Sequence, residues 1–235
     1  TSGNFILDLQ LASLPEIAAH YESQESNWVR ANMIISQDGH FVGSTNSSRD
    51  LTSQVDLQLL LLLRALSDVV LVGANTARSE SYRQPKARDE FAFLSRKPPR
   101  LAVISSSLAL DTTSNIFHGG FHRTLVINAG DNVESEELLD AADVVFVKND
   151  ENFATSLIAT LSELKLSKVT CEGGPTLISQ LLLADVVDEY DLTVSPIKVG
   201  GSPLWPAALP SNSAWDQVGT ATSGNYEFHR LLKRR

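Results

Sequence analysis

Val169-Thr170-Cys171-Glu172-Gly173-Gly174-Pro175-Thr176-Leu177 is the stretch that decides the fold. Lys168 to Cys171 reads as a short buried strand, Glu172-Gly173-Gly174 as a turn, and Pro175 to Ala184 as a helix. Each residue type suits its place. Glycines let the backbone approach a neighbour or ligand closely. Proline is pre-organised for the first helical position. The free amides and dipole of a helix N-terminus favour a phosphate. Glu172 stands at the C-terminal end of its strand, the edge where open α/β sheets bind ligands. The alternative is a strand-to-helix turn that uses its glycines only to turn.

The same grammar extends in both directions. Val69-Val70-Leu71-Val72 is a continuous apolar run, as in a central strand covered on both faces. Gly73 ends it, and Val72-Gly73-Ala74-Asn75-Thr76 forms a second strand end. There Gly73 and Thr76 offer a second phosphate or nicotinamide contact, or simply a glycine stop and a threonine cap. Further strands are expected at Val29 to Ser36, Leu101 to Ile104, Thr124 to Asn128, Val144 to Lys148, Asp191 to Ser195 and Tyr226 to Leu232. Asp38-Gly39 marks a tight turn, with His40 to Gly43 as a short return strand. Helices are expected at Leu14 to Glu22, from Thr52 or Ser53 to Ser67, and at Phe153 to Leu164, where apolar residues recur at helical spacing. The second of these is apolar on nearly every face, which predicts burial against both the sheet and a partner subunit, hence a homodimer. Arg78 to Arg100 reads as a long basic loop. Strands alternating with helices predict an α/β sheet with helices on both faces. No linker divides the chain, so a single domain over 1–235 is expected, with 1–27 as a peripheral extension.

Composition narrows the function. The chain has 235 residues and a formal net charge of −9, which argues against a duplex-binding surface. A single cysteine, Cys171, excludes an internal disulfide and any zinc site built on several cysteines; a small buried hydrophobe is the expected role for it. The most apolar region, Leu57 to Val72, is interrupted by Gln58, Arg64, Ser67 and Asp68 and is not a membrane span. Thr1 to Gln10 lacks the basic start and apolar stretch of a signal peptide, so a cytoplasmic location is expected. His118 and His122 are separated by Gly119-Gly120 and have no companion ligands, so no metal is expected there. Ser162-Glu163-Leu164-Lys165 matches an S-x-x-K pattern by chance in an ordinary helix. Asp38 shapes its turn. Arg230, Lys233, Arg234 and Arg235 are expected to form a solvated end.

An ordered series of short motifs resembles a known family. Ser36-Gln37-Asp38-Gly39 is followed by Ser48, then by Leu63-Arg64-Ala65 leading to Val72-Gly73-Ala74-Asn75-Thr76. Next come Glu172-Gly173-Gly174-Pro175-Thr176-Leu177, then Leu183 with Val187-Asp188-Glu189, and Ser195-Pro196 with Gly200-Gly201. In that order and spacing, residues 28 to 202 resemble the reductase domain of bacterial riboflavin biosynthesis. The resemblance implies a dihydrofolate-reductase-like fold, a three-layer α/β/α arrangement with a mostly parallel central sheet. It implies that NADPH delivers a hydride to C1′ of the ribosyl group of 5-amino-6-(5-phosphoribosylamino)uracil. By matching positions, Ile35, Thr76, Gly173, Gly174, Pro175 and Thr176 would contact NADPH, joined by Gly73. Ser48, Arg64 and Glu172 would face the substrate, with Glu172 handling a proton or holding the ribityl amine; burial beside a ligand can push a carboxyl toward neutrality. Arg83 or Arg88 would meet a phosphate of substrate or cofactor, for which an arginine fork is suited.

Three positions and one stretch depart from the family pattern, and they are expected on the ligand-facing side. Asn32 stands where many members carry lysine, and Gln37 where leucine is usual. Asp50 replaces a tryptophan, and Glu80-Ser81-Tyr82-Arg83 replaces an Asp-Asp-Pro stretch. Reduction of dihydrofolate or another heterocycle, or nucleotide binding without catalysis, are the other functions this pattern allows. Many members also carry a fused zinc deaminase with a Pro-Cys-x-x-Cys motif. One cysteine does not supply that motif, so a stand-alone reductase is expected.

Overall fold

The computed structural model describes residues 6–131, 133–201 and 214–234. In chain order the elements are β1 (Ile6–Asp8), α1 (Leu14–Tyr21), β2 (Trp28–Ile35), α2 (Gln54–Ala65), β3 (Val69–Gly73), α3 (Ala74–Ser79), β4 (Arg100–Ser105) and β5 (Thr124–Asn128). They continue with α4 (Glu136–Ala141), β6 (Ala142–Phe146), α5 (Phe153–Glu163), β7 (Lys168–Cys171), α6 (Pro175–Leu183), β8 (Glu189–Val194), β9 (Trp215–Ser223) and β10 (Tyr226–Lys233). All ten strands form one sheet in the order β1-β9-β10-β8-β2-β7-β3-β4-β5-β6. Only β10 runs antiparallel to its neighbours, β8 and β9. The other neighbouring pairs are parallel, so the sheet is mostly parallel, as expected.

Local chemistry starts the helices. The Ser53 hydroxyl accepts the Asp56 amide at 3.1 Å and caps α2. Pro15 and Pro175 sit in the first turns of α1 and α6. Period-two alternation then divides the strands between two faces. Ala31, Met33, Leu71, Ile127 and Cys171 point to the face covered by α5 and α6, where Leu157, Leu161, Ile178 and Leu181 close the core. On the other face α1 and α2 bury Ile17, Tyr21, Leu59, Leu62 and Leu63 against Phe228 and Ala221. Val70, Val72, Val103 and Val126 pack there against Ala77 and Leu138 of α3 and α4. The result is the expected three layers. Burial pushes the Cys171 thiol up to about 12, in keeping with a buried hydrophobe.

The structure corrects several expectations. His40 to Gly43 form no strand. The turn closes with Ser36 N donating to His40 O at 2.7 Å, but β2 is already paired with β7 on one side and β8 on the other, leaving no edge for a return strand. Asp38 does shape this turn, and also accepts the amides of Val199 and Gly200, tying it to the segment after β8. The stretch from Arg78 is not all loop, since α3 reaches Ser79 and a 3-10 turn spans Asp89–Leu94. Short β1, α3 and α4, and the edge-side β9, lie outside the sequence expectation. Within the expected N-terminal extension, residues 1–5 lie outside the described residues; in 6–27, β1 pairs with β9 and α1 packs into a core.

The expected solvated C-terminus is corrected too. Arg230 donates to Glu189 Oε1 at 2.6 Å inside a polar cluster. Arg30, 3% exposed, binds Glu189 at 3.0 Å and Asp191 at 2.9 Å. Burial alone would raise the Glu189 pKa, but the two guanidiniums hold it below the ordinary range. Asp191 goes the other way, raised by burial and by the Glu189 charge. Arg234 pairs with Asp216 at the surface, and Arg235 lies outside the described residues. No helix among the described residues is long and apolar enough to cross a membrane.

Candidate active site

The strand ends predicted to meet ligands open into a cleft of about 630 Å³. It lies on the α2 side of the sheet, where Asn32 and Ile34 of β2 and Glu172 beyond β7 share a wall with α2 and the segment after α3. The β7 pairing continues to Glu172, whose amide donates to Leu71 O at 2.9 Å. This places its carboxylate, 8% exposed, at the cleft floor.

Three donor contacts converge on that carboxylate. Arg64 grips it with two parallel bonds, Nε to Oε1 at 2.6 Å and an NH to Oε2 at 2.7 Å. The Tyr82 hydroxyl donates to Oε2 at 2.7 Å, and the Arg64 guanidinium lies 5.3 Å from the Tyr82 ring centroid. A bidentate arginine fixes orientation as well as charge. Burial would lower the Arg64 pKa, but the Glu172 charge and hydrogen bonds together with Tyr82 outweigh it and drive it up. Burial and Glu172 both raise the Tyr82 phenol well above its ordinary value.

The glycine turn sits beside this group. Gly73 N donates to Gly173 O at 2.8 Å, which joins the two strand ends. Gly173 has φ +98° and requires glycine. A Cβ on Gly174 would lie 2.7 Å from Thr76 Oγ1, so the backbone here runs directly under the Thr76 hydroxyl. Gly174 caps the nine-residue α6 without a side-chain bond, leaving first-turn amides available to an anion.

Of the expected site residues, Glu172, Arg64, Ser48, Thr76, Gly174, Pro175 and Arg83 line the cleft. Ile35, Gly73, Gly173 and Thr176 do not. Ile35 ends β2 in register with Val194, and Thr176 is exposed on α6. Gly73 and Gly173 shape the turn from beneath. Arg88 is committed to Glu90 at 2.6 Å, whereas Arg83 and Lys86 make no ion pair among the described residues and stand at the cleft mouth.

Several contributors lay outside the expected set. Glu80 accepts the Ser48 amide at 2.8 Å and the Ser47 hydroxyl at 2.7 Å, which ties the Ser48 loop to the end of α3. Tyr82 was visible in the sequence only as a departure. Asp50 turns into its own loop, accepting the Thr45 amide at 2.6 Å, and does not line the cleft. The apolar excess of α2 also finds its place. Leu59, Leu62 and Leu63 enter the core, while Leu57, Leu60 and Leu61 line the cleft.

A family model, the RibD C-terminal domain, matches residues 27–226. A 2,5-diamino-6-ribosylamino-4(3H)-pyrimidinone 5′-phosphate reductase from Archaeoglobus fulgidus is 26% identical over 181 residues, 74% of this chain and 82% of that protein. A riboflavin biosynthesis protein RibD from Aquifex aeolicus is 23% identical over 180 residues; the match takes in 77% of this chain but about half, 49%, of that protein. The crystal structure of a pyrimidine reductase-like protein from Corynebacterium diphtheriae superimposes with a TM-score of 0.80 at 24% identity, covering 95% of this chain and 100% of that one. A dihydrofolate reductase from Enterococcus faecalis gives a TM-score of 0.50 at 10% identity, over 88% of this chain and 97% of that one, and shares the fold.

Proposed function

The chain belongs to the family of RibD C-terminal domains, and from that premise we propose that it is an NADPH-dependent reductase of a phosphoribosylaminopyrimidine of riboflavin biosynthesis. The observation that carries this reading is Glu172, gripped by Arg64 directly beside the Gly173-Gly174 turn, in one cleft with Thr76. NADPH, when bound, supplies a hydride to C1′ of the ribosyl group. The residues of this chain do the rest.

The first turn of α6, Gly174 and Thr76 fit a dinucleotide, because the uncapped amides suit a phosphate and the missing Cβ lets the Thr76 hydroxyl sit against the turn. Glu172 and Arg64 face the sugar as an acceptor and a donor fixed against each other. Glu172 orients the substrate's polar hydrogens, and Arg64 and Ser48 offer donors. Arg83, unpaired at the mouth, receives the 5′-phosphate. Preference for NADPH over NADH, a cytoplasmic location and a homodimer complete the proposal. Leu57, 46% exposed on the rim, supports a partner subunit, and sedimentation velocity decides it.

The experiment mixes the protein with NADPH and either the uracil compound or its 2,5-diamino counterpart and follows loss of reduced nicotinamide. Turnover of one or both is expected; turnover of neither, with folded protein, overturns the reading. A second result is expected at the glycine turn. In Gly174→Ala the new methyl meets Thr76 Oγ1 at 2.7 Å, so the hydroxyl must leave its place. NADPH affinity should fall about tenfold, the order of one lost hydrogen bond, with the thermal midpoint little changed. Unaltered affinity in a nicotinamide fluorescence titration would remove Gly174 and Thr76 from the cofactor site.

A further inference from the structure

Four carboxylates among the described residues are buried: Asp56, Glu172, Glu189 and Asp191. Three of them have an arginine, namely Arg64 for Glu172, Arg30 and Arg230 for Glu189, and Arg30 for Asp191. Asp56 has no ion pair among the described residues. Its partners are two hydroxyls, those of Thr52 and Thr193. Buried acids without a cation are costly unless something else satisfies them, and burial raises the pKa of this one. Asp56 lines the cleft that holds Arg64 and Glu172.

Its placement is systematic. Asp56, Leu60 and Arg64 recur at every fourth position of α2, so they form one stripe along the helix, and all three line the cleft. Asp56 and Arg64 are eight residues apart, roughly 12 Å along the axis. The stripe therefore runs from an acid, across an apolar side chain, to the arginine that grips Glu172. Asn32 of β2 pairs with Asp191 of β8 and follows the Ala31–Cys171 pair, which puts it beside Glu172; its side chain makes no hydrogen bond among the described residues and also lines the cleft. A flat ring lying over Leu60 would present its edge to Asp56 while its sugar reached Arg64 and Glu172.

Resting on the function proposed above, we propose that Asp56 reads the pyrimidine ring, and that it selects the 2,5-diamino-4-oxo ring over the uracil ring. The two candidate rings differ at C2. The diamino ring offers an amino group beside a ring N–H, two donors side by side that a carboxylate accepts together. The uracil ring puts a carbonyl oxygen there, so an acceptor would face the Asp56 acceptor with nothing between them.

The test compares both compounds on the wild-type protein with saturating NADPH. A kcat/KM ratio of at least about 10²-fold in favour of the diamino compound is expected, since a site built to bond a polar group strongly rejects the analogue lacking it. Asp56→Asn should lower kcat/KM on the diamino compound by about 10- to 100-fold, the range for a hydrogen bond to a charged group, and raise the uracil value, because the new amide can donate to the C2 carbonyl. NADPH affinity and the thermal midpoint should be unchanged. A wild-type preference for uracil overturns the inference, and so does an Asp56→Asn loss that is equal on both compounds, which marks a structural role only. Where neither compound is turned over, the broader function falls, and equilibrium binding of the two compounds still decides the selectivity; equal affinities overturn it.

Discussion

Glu172→Gln is expected to reduce turnover by about 10²- to 10⁴-fold, the span for a group positioned on the reacting centre, while NADPH still binds. The substitution is isosteric but reverses half of the chemistry. Wild-type Glu172 receives three hydrogen bonds, two from Arg64 and one from Tyr82, and all three come from donors. A glutamine amide nitrogen placed at either oxygen position points a donor at another donor. One arm of the Arg64 fork or the Tyr82 hydroxyl must then leave, and the guanidinium loses the charge that holds it in the cleft. The constellation loosens even though every side chain keeps its size. The α6 N-terminus, Gly174 and Thr76 are untouched by this rearrangement, so nicotinamide titration should give a dissociation constant within a few-fold of wild type. A variant that retains wild-type turnover would exclude Glu172 from the chemistry. One that loses NADPH binding together with turnover would place Glu172 in the cofactor site instead.

The legibility of this site in the sequence follows the range of the forces that build it. The turn after β7 was readable because each of its features is local: glycines where the backbone turns, proline at the helix start, and Glu172 at a strand end. Strand β3 was readable as an apolar run covered on both faces, and β7 as a short buried strand leading into that turn. The elements that escaped, β1, α3, α4 and β9, are short or lie toward the sheet edge, where one-sided burial leaves a weaker pattern. The return strand at His40 to Gly43 failed for a topological reason, since a tight turn predicts a hairpin only when the strand before it has a free edge, and β2 has none. The Asp56-Leu60-Arg64 stripe was present at helical spacing, but periodicity does not say which face of a helix looks into a cleft. The Arg30 cluster was out of reach altogether. Its bonds join residues 159 and 210 positions apart, and nothing near Arg230 in the sequence distinguishes it from a solvated terminal arginine.

That cluster carries the largest expected effect on stability. Arg30→Met should cost about 3–5 kcal/mol, the penalty for removing one partner of a buried ion pair, and lower the thermal midpoint by roughly 10 °C in a chain of this size. The methionine fills the volume, so packing alone does not explain such a loss. The cost comes from what remains. Asp191 keeps its buried position beside Glu189 with no guanidinium against it, and Glu189 is left with Arg230 alone. The pH dependence then has a definite sign. In the wild type the guanidiniums depress the Glu189 pKa, so their contribution is present above the unfolded carboxylate range and is lost as pH falls through the lowered folded value. In Arg30→Met the lowering of Glu189 weakens, and Asp191, already raised in the wild type, is pushed up further. The deficit should therefore be largest at neutral pH and shrink as pH falls and the carboxyls take up protons. Neutralising Asp191 as well, in Arg30→Met/Asp191→Asn, should recover part of the loss at neutral pH, because no uncompensated charge remains there. Denaturant midpoints across pH decide it. A deficit that is the same at every pH and is not relieved by Asp191→Asn would show that Arg30 contributes through packing and its bond to the Tyr21 carbonyl rather than through charge.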